Sequence, residues 1–291
     1  MKIASLRKAL RPHQWLKNVL ILIPALAAHK FDRQTIQSVA LAMVTFSLCA
    51  SGGYVLNDLL DVHADRQHHR KRFRPFASGQ LTIGTGVLLV VGSWIVSLGL
   101  AAIFLPPAFV LIAVVYLALS AIYSLRLKRE PVLDVMVLTV LYVIRIVAGG
   151  VAARVPVSTW LLAFMMFVSL SLAFLKRFIE VSAQRPGVAG QVPGRGYQAD
   201  DAVWLHSAGI ASGYLSAVVL AIYANSTEVT RLYRHPDRLV LICPLLVYWS
   251  TVIWLKAHRR QMHDDPLVAV ALAPSTYAIA AAAGVIVLTA I

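Results

Sequence analysis

The sequence predicts an all-α fold, a polytopic membrane protein in which residues 1–291 form one transmembrane domain. The chain is 59% hydrophobic and only 14% charged, with a mean hydropathy of +0.73. Soluble proteins average about 45 to 50% apolar and about 25% charged residues. Apolar runs of about 20 residues, which cross about 30 Å of hydrocarbon, recur along the chain. Strands of a membrane β-barrel would instead alternate apolar and polar residues over about ten positions.

Nine apolar segments are candidate transmembrane helices. In chain order they are 15–31, 36–59, 83–105, 107–124, 132–152, 157–180, 204–224, 238–257 and 266–290. The first follows a basic start and also has the form of a signal peptide. We interpret it as a span, because it carries Trp15, Lys17 and Asn18 and fits the pattern without cleavage. Cys49 and Cys243 lie within apolar segments, where reduced core thiols are expected.

The basic residues indicate the orientation. A net charge of +14 in a soluble protein would suggest a nucleic-acid partner, which we do not expect here. With the N-terminus in the cytoplasm, 20 of the 27 Lys and Arg residues lie on the inner side, six lie outside, and Arg145 lies within the fifth span. The positive-inside rule therefore predicts a plasma (inner) membrane protein with a cytoplasmic N-terminus and an external C-terminus.

The acidic residues gather on the same predicted side, which holds ten of the 13 Asp and Glu residues. The positive-inside rule hardly depends on acids, so orientation alone does not require this. A mixed cluster of acids and bases suggests a site for a metal ion and an anion. The alternative is a set of neutralised surface loops.

The sequence NDLLDVHAD ends the second span and contains an acidic motif, defined here as Asn57, Asp58, Asp61 and Asp65. On one helix these positions fall within an arc of about 100°. Carboxylate and amide oxygens suit Mg²⁺ shared with substrate phosphates. The alternative is a solvated helix end, although unpaired acids there would oppose the helix dipole.

The segment after the acidic motif is rich in histidine and arginine. His63, His68 and His69 could suggest zinc, but no cysteine accompanies them and the adjacent pair points in different directions. The basic run Arg70 to Arg74 either anchors the chain on anionic lipid or closes over a diphosphate.

Arg145 lies in the middle of the fifth span, where a charge is costly and by default functional. We expect it to face an internal polar cavity. The alternatives are a structural ion pair with a buried Asp or bonds to backbone carbonyls. Gly149 and Gly150, one turn later, would allow another helix to approach closely.

The inner end of the sixth span reads KRFIEV, in which Lys176, Arg177 and Glu180 share a helix surface. These three residues form either an anion-binding site or only the basic cytoplasmic end of a span, as the positive-inside rule predicts. The following loop, 186–196, is rich in glycine without a P-loop pattern, so we interpret it as flexible. The acidic residues of HDDP at 263–266 form a second inner patch or only begin the last span.

These motifs carry a resemblance to a known family. NDLLDVHAD has the form NDxxDxxxD and resembles the first aspartate-rich motif of the UbiA superfamily of intramembrane prenyltransferases. The resemblance covers essentially the whole chain and implies nine transmembrane helices around a central cavity open to the cytoplasmic side. KRFIEV departs from the second aspartate-rich motif of members that prenylate aromatic rings. The branch that the chain resembles most is that of decaprenyl-phosphate phosphoribosyltransferase, through RPHQWLKN at 11–18, DRxHxxKRxRPxASG at 65–79, YSLRLK at 123–128, RxxAGG at 145–150 and KRxxE at 176–180.

The resemblance implies transfer of 5-phosphoribose from phosphoribosyl pyrophosphate to a polyprenyl phosphate, with release of pyrophosphate. It implies Mg²⁺ on Asn57 and on the catalytic residues Asp58, Asp61 and Asp65. Donors to phosphate oxygens would be Lys17, Lys71, Arg72 and Lys128. The lipid phosphate or the ribose 5-phosphate would contact Arg145, Lys176, Arg177, Arg195 and Tyr197, and Glu180 would orient Lys176 or bind a ribose hydroxyl. The sequence is also compatible with a homo-oligomer.

Two other functions compete with this one. A prenyltransferase that uses a prenyl diphosphate donor and an aromatic or other small acceptor would have the same acidic motif, and KRFIEV argues against it. A transporter is less consistent with the sequence, because a transport path should be polar on both sides of the membrane centre. Here the polar residues cluster at one face and only Arg145 lies near the centre.

Overall fold

The computed structural model describes residues 2–67, 71–183, 196–227, 229, 233–262 and 266–291. Throughout these ranges the regular elements are helices, as predicted. The described residues form two compact units, one from 2–137 and 144–157, the other from 138–143, 158–183 and the described part of 196–291. The helix Leu133–Ala153 contributes residues to both units.

The first unit contains seven α-helices or parts of them and three 3₁₀ segments. In chain order they are α1 (Lys2–Leu10), the 3₁₀ segment Pro12–Leu22, α2 (Ile23–Ala27), α3 (Arg33–Leu60), α4 (Val62–Gln67), the 3₁₀ turn Lys71–Phe73, α5 (Ile83–Phe104), α6 (Pro107–Leu125), the 3₁₀ turn Leu127–Arg129 and α7 (Leu133–Ala153).

The second unit contains the middle of α7 and five further α-helices. These are α8 (Thr159–Ser182), α9 (Asp201–Ala224), α10 (Ile242–His258), which continues a 3₁₀ turn at Pro236–Leu241, α11 (Pro266–Ala271) and α12 (Pro274–Ala290). Seven helices of the described chain are long and apolar enough to cross a membrane, namely α3, α5, α6, α7, α8, α9 and the run Pro236–His258. The prediction of a multi-pass helical membrane protein is therefore confirmed.

The first predicted span is not one α-helix. Residues Pro12–Leu22 form a 3₁₀ helix of 11 residues, and α2 adds five. The two together reach roughly 30 Å, since a 3₁₀ helix rises about 2.0 Å per residue and an α-helix about 1.5 Å. Runs of 3₁₀ helix beyond three or four residues are uncommon, so this segment depends on its surroundings to keep its form.

The last predicted span is also divided. Helix α11 stops before Pro274, and Ala273 has an extended backbone with φ −69° and ψ 132°. A proline lacks the N–H that a helix needs and disfavours helical geometry at the preceding residue. Helix α12 therefore begins anew and is 17 residues long. The acidic residues of HDDP lie outside the described residues.

Side-chain caps begin several of the spanning helices. Asp32 accepts hydrogen bonds from the backbone N of Thr35 at 3.0 Å and from its hydroxyl at 2.6 Å, and Ser158 accepts one from Leu161 N at 3.1 Å. The two bonds from Thr35 lower the pKa of Asp32. Each cap satisfies an N–H group that the first helical turn leaves without a partner.

Helix α3 is the centre of the first unit and carries the acidic motif at its C-terminal end. Glycines allow its neighbours to approach closely. A Cβ atom at Gly52 would overlap the indole of Trp94 on α5, and one at Gly53 would lie 2.8 Å from the hydroxyl of Ser120 on α6. Close packing through small residues is a general way for membrane helices to associate, and here it fixes the helix that presents the acids.

Candidate active site

The acidic motif lies where α3 ends and α4 begins. The prediction that all four residues share one helix is wrong, because α3 stops at Leu60 and Asp65 belongs to α4. The helical spacing nevertheless continues through the junction, since Asp61 N donates to Asn57 O at 3.0 Å and Asp65 N donates to Asp61 O at 2.8 Å. The four side chains therefore remain close together.

Asp58 is the most buried acid of the motif, with 2% of its surface exposed. Arg11 Nη2 donates to both of its carboxylate oxygens, at 2.6 and 2.9 Å. Arg74 Nη1 donates to Asp58 Oδ1 at 3.1 Å and to Asp65 Oδ2 at 2.7 Å. One guanidinium thus bridges two acids, which offsets the cost of burying both charges.

Asp61 is paired with Lys128. Lys128 Nζ donates to Asp61 Oδ1 at 2.6 Å and to Asn57 Oδ1 at 3.1 Å, and Asn57 Nδ2 donates to Asp61 Oδ2 at 3.1 Å. Lys128 lies in the 3₁₀ turn after α6 and is 3% exposed. A buried lysine is rarely found without a partner, and this one completes what we call the ion-pair cluster, the acidic motif together with Arg11, Arg74 and Lys128.

Burial changes the protonation of Asp65. Its desolvation raises the pKa of the carboxyl above the ordinary value, and the charge and hydrogen bond of Arg74 act in the opposite direction. Asp58 raises the pKa further, and the positive charge of Lys71 lowers it. Because burial is the largest of these effects, Asp65 accepts a proton more readily than an exposed aspartate would.

The donor atoms of the acidic motif fit Mg²⁺ by chemical type, because this ion prefers carboxylate and amide oxygens. In the described part of the chain, no three His, Cys, Asp or Glu side chains are arranged as a metal cage. Lys128 Nζ lies between Asn57 and Asp61, and Arg74 Nη1 lies between Asp58 and Asp65. Protein cations therefore occupy the positions between the oxygens, and a metal ion would have to replace them.

Arg145 lies on α7 and is 3% exposed. Its Nε donates to Asn18 Oδ1 at 2.9 Å, and its Nη2 donates to the hydroxyl of Tyr116 at 2.8 Å. The guanidinium carbon also lies 4.9 Å from the centre of the Tyr116 ring, a cation–π contact. These contacts are to a side-chain amide and a phenol within the first unit.

The other predicted residues of the first unit lie on its 3₁₀ elements. Lys17 is half-buried on the segment Pro12–Leu22, and Lys71 and Arg72 are exposed in the turn Lys71–Phe73. The guanidinium of Arg72 stacks on the ring of Phe73 at 4.9 Å. Lys128 donates directly to the acidic motif, and the charge of Lys71 acts on Asp65.

The predicted residues of the second unit lie at the end of α8 and after it. Arg177 is fully buried and forms an ion pair with Glu180, while Lys176 is half-buried. Arg177 is one of the two basic residues that the sequence places on the same helix surface as Glu180, and the orientation of Lys176 by Glu180 stays a prediction. Tyr197 is 1% exposed. Arg195, His68, His69 and Arg70 lie outside the described residues.

Two residues of the ion-pair cluster are missing from the predicted site, Arg11 and Arg74. Both stand inside motifs that carry the resemblance, since Arg11 begins RPHQWLKN and Arg74 ends the basic run. Their position in those motifs could have identified them as candidate site residues. Arg11 and Arg74 both contact Asp58, from which they are 47 and 16 residues apart in the sequence. Local spacing does not reveal pairs so far apart.

Comparisons with known proteins identify the family of this chain. The profile of the UbiA prenyltransferase family matches residues 18–185. Nodulation protein NoeC of Azorhizobium caulinodans is 37% identical over 268 residues, which cover 89% of this chain and 84% of NoeC. The uncharacterized protein y4nM of Sinorhizobium fredii is 38% identical over 262 residues, 89% of this chain but only 50% of y4nM.

A further relative has a named activity. The decaprenyl-phosphate phosphoribosyltransferase of Mycobacterium tuberculosis is 42% identical over 201 residues, 64% of each chain. Among solved structures, a UbiA homologue from Archaeoglobus fulgidus bound to GPP and Mg²⁺ superposes with a TM-score of 0.73 at 15% identity, over 97% of this chain and 99% of that one. The chain has the UbiA fold and belongs to the UbiA prenyltransferase family, a family of transferases.

Proposed function

We propose that this protein transfers 5-phosphoribose from phosphoribosyl pyrophosphate to a polyprenyl phosphate and releases pyrophosphate, in a reaction that depends on Mg²⁺. The observation that carries the proposal is the 42% identity over 201 residues with decaprenyl-phosphate phosphoribosyltransferase. The ion-pair cluster supports it, because a leaving group as highly charged as pyrophosphate needs both a cation and hydrogen-bond donors.

In the proposed reaction an oxygen of the polyprenyl phosphate attacks C1 of the ribose. The bond between C1 and the pyrophosphate oxygen breaks, and its electron pair leaves with pyrophosphate. The attacking phosphate is already an anion near neutral pH, so no strong general base is required. The main task of the protein is then to hold the two phosphates and to stabilise the charge of the leaving group.

The ion-pair cluster has residues for this task. Asp58, Asp61 and Asp65, with the amide oxygen of Asn57, are the proposed Mg²⁺ ligands and catalytic residues. Bound there, Mg²⁺ would neutralise charge on the diphosphate. Once their carboxylates bind a metal, Arg11, Arg74 and Lys128 would be released to donate to phosphate oxygens, the arginines through forked pairs and the lysine as a point charge.

Roles for the remaining residues are proposals from the sequence. Lys17, Lys71 and Arg72 would add positive charge for the diphosphate. Lys176, Arg195 and Tyr197 would hold the lipid phosphate or the ribose 5-phosphate, with Glu180 as an orienting group or a ligand of a ribose hydroxyl. The sequence predicts the same contact for Arg145 and Arg177, but both side chains are buried and have protein partners.

We also propose nine membrane crossings, with the divided first and last segments added to the seven long helices. The N-terminus would be cytoplasmic, the C-terminus external, and the acidic motif would face a cavity open to the cytoplasm of the cell. The distribution of basic residues supports this orientation. A cytoplasmic site is also where a soluble phosphorylated sugar is available.

An assay of pyrophosphate release tests the reaction. Purified protein, Mg²⁺, phosphoribosyl pyrophosphate and a polyprenyl phosphate should release pyrophosphate, and the lipid should gain a phosphoribosyl group by mass spectrometry. Omission of the lipid and addition of a metal chelator are the controls. If a folded preparation releases no pyrophosphate with any polyprenyl phosphate, the proposal fails.

A second candidate is transfer of a prenyl group from a prenyl diphosphate to a small acceptor. It is favoured by the structural similarity to the Archaeoglobus fulgidus homologue bound to GPP and Mg²⁺. Thermal unfolding with Mg²⁺ separates the two candidates. Stabilisation by phosphoribosyl pyrophosphate but not by geranyl diphosphate supports phosphoribosyl transfer, and the reverse result supports prenyl transfer.

A further inference from the structure

The 3₁₀ segment Pro12–Leu22 connects the ion-pair cluster with the buried Arg145. Arg11 immediately precedes the segment, has a left-handed backbone with φ 50°, and reaches Asp58 with its guanidinium. Asn18, two turns further along, accepts a hydrogen bond from Arg145. The position of this segment therefore sets the position of the Arg11 backbone, from which the side chain extends to Asp58.

The contact between Asn18 and Arg145 is buried on both sides. Asn18 is 1% exposed and Arg145 is 3% exposed. Asn18 Nδ2 in turn donates to Ser47 Oγ on α3 at 2.9 Å, and Arg145 Nη2 donates to Tyr116 on α6. A hydrogen bond to a charged group is stronger than one between neutral groups, so Arg145 and Ser47 hold Asn18 against α7 and α3, and Tyr116 on α6 holds Arg145.

A second contact lies one helical turn from Arg145. A Cβ atom at Gly149 would overlap the carbonyl oxygen of Ile21. The backbone of α7 therefore lies directly on the backbone of the 3₁₀ segment. Asn18 and Ile21 are three residues apart, and in a 3₁₀ helix such positions share one face, so Arg145 and Gly149 hold the same face.

The start of the segment is attached to α3. Trp15 Nε1 donates to Ser51 Oγ at 2.9 Å, and Ser51 Oγ donates to Leu10 O at 2.9 Å. Side-chain bonds thus hold both halves of an element whose own hydrogen bonds are weaker than those of an α-helix. Loss of one of these hydrogen bonds would let the segment shift or change from a 3₁₀ helix to an α-helix.

We propose that Arg145 is a positioning residue, which acts through Asn18 to keep the 3₁₀ segment in the register that places Arg11 on Asp58. This role differs from the direct contact with a phosphate that its sequence position suggested. The inference rests on the diphosphate site of the proposed function. It does not depend on the donor, because pyrophosphate is a part of phosphoribosyl pyrophosphate and of every prenyl diphosphate.

A double-mutant cycle on the full chain tests the role. Calorimetry would measure pyrophosphate binding in the presence of Mg²⁺ for the wild-type protein, Arg145→Lys, Arg11→Met and the double variant. Arg145→Lys keeps the charge but loses the Nε donor to Asn18, and we expect about tenfold weaker binding. In the Arg11→Met background the same change should weaken binding by less than about twofold, because the group being positioned is already absent.

Two further variants separate positioning from general damage. Asn18→Ala should reproduce both results of Arg145→Lys, since it removes the other partner of the same hydrogen bond. Val19→Ala changes an exposed position of the same segment, 43% exposed, and should leave binding unchanged.

Three results would overturn the proposal. They are an equal loss from Arg145→Lys with and without Arg11, a wild-type affinity in Asn18→Ala, and no binding of pyrophosphate to the wild-type protein. The first two would contradict positioning while leaving the proposed reaction intact. A negative release assay with normal pyrophosphate binding would instead contradict the proposed reaction and leave the role of Arg145 standing.

Discussion

At the scale of single residues, the site is a set of acids that are each held by a base. Asp58 and Asp65 share Arg74, Asp58 also binds Arg11, and Asp61 binds Lys128. Buried acids without partners would carry a large desolvation cost. The pairing explains how the end of α3 tolerates negative charge that would otherwise oppose its helix dipole.

Asp61→Asn tests the metal role most directly. The side chain of Asp61 is 29% exposed, and an amide of the same shape keeps an oxygen that accepts from Lys128. We expect turnover to fall by about 100-fold or more, because one charged ligand and its electrostatic effect are lost. The fold should be kept, with a loss of stability no larger than that of Lys128→Met, because Lys128 still donates to the amide oxygen. Near-normal pyrophosphate release by this variant would show that Asp61 does not bind the metal.

Lys128→Met tests the value of the ion pair. The change removes the cation from Asp61 and one donor from Asn57 but keeps an apolar side chain of similar length. Stability should fall by about 1 to 2 kcal/mol, less than for a fully buried pair, because Asp61 reaches solvent. Denaturant unfolding measures the loss, and Lys128→Arg is the matched control that keeps the charge. An unchanged free energy of unfolding in Lys128→Met would show that the ion pair does not stabilise the protein.

The raised pKa of Asp65 predicts a dependence on pH. The native carboxyl binds a proton more tightly than the unfolded one, so its contribution to stability is fully present below the ordinary pKa of about 3.9. That contribution is lost as the pH rises through the higher native pKa. Mg²⁺ competes with the proton, so metal binding should weaken as the pH falls through the same range.

Calorimetric Mg²⁺ titrations in the presence of pyrophosphate, carried out as a function of pH, measure this effect. Asp65→Asn cannot release a proton at this position and should shift the pH at which binding weakens. An identical pH profile in the wild-type protein and in Asp65→Asn would contradict the assignment.

At the scale of elements, the end of α8 separates two kinds of basic residue. Arg177 is fully buried and paired with Glu180, whereas Lys176 is half-buried. We expect Arg177→Ala to lower stability by about 2 to 4 kcal/mol, because Glu180 loses its partner and a large buried side chain disappears. Lys176→Ala should keep the fold and mainly raise KM for a phosphorylated substrate.

Unfolding and steady-state kinetics of both variants check this difference. Glu180→Gln is the control for the ion pair. If Lys176→Ala destabilises the protein as much as Arg177→Ala does, the distinction between a buried structural arginine and a half-buried lysine that binds substrate is wrong.

Hydrophobic length predicted the long spans well but not the form of the first and last segments. In the last one, Pro274 was visible in the sequence and explains the division. In the first, the 3₁₀ helix is accompanied by tertiary contacts, among them Arg145 with Asn18 and Gly149 with Ile21. Such contacts join residues about 130 positions apart, and no local pattern contains them.

At the scale of the whole molecule, the proposed orientation in the membrane predicts which positions a reagent outside the cell can reach. Cysteine substitution in a background without Cys49 and Cys243 gives a direct test with a membrane-impermeant maleimide. Ser78 and Arg33 are exposed positions on opposite predicted sides. In cells, Arg33→Cys should react and Ser78→Cys should react only after permeabilisation. The reverse pattern would place the acidic motif outside the cytoplasm.

The sequence by itself determined the class of protein, seven of its spans, its family resemblance and the acids at the end of α3. These follow from local properties, since hydrophobic length, charge distribution and a short motif can be read from neighbouring residues. The structure decided which base holds each acid, that Arg145 binds Asn18 and Tyr116, and that Arg177 is buried against Glu180. The partners of Arg11 and Arg145 depend on how α3, α6 and α7 pack around one 3₁₀ segment, and packing between distant parts of the chain is set only when the whole unit has folded.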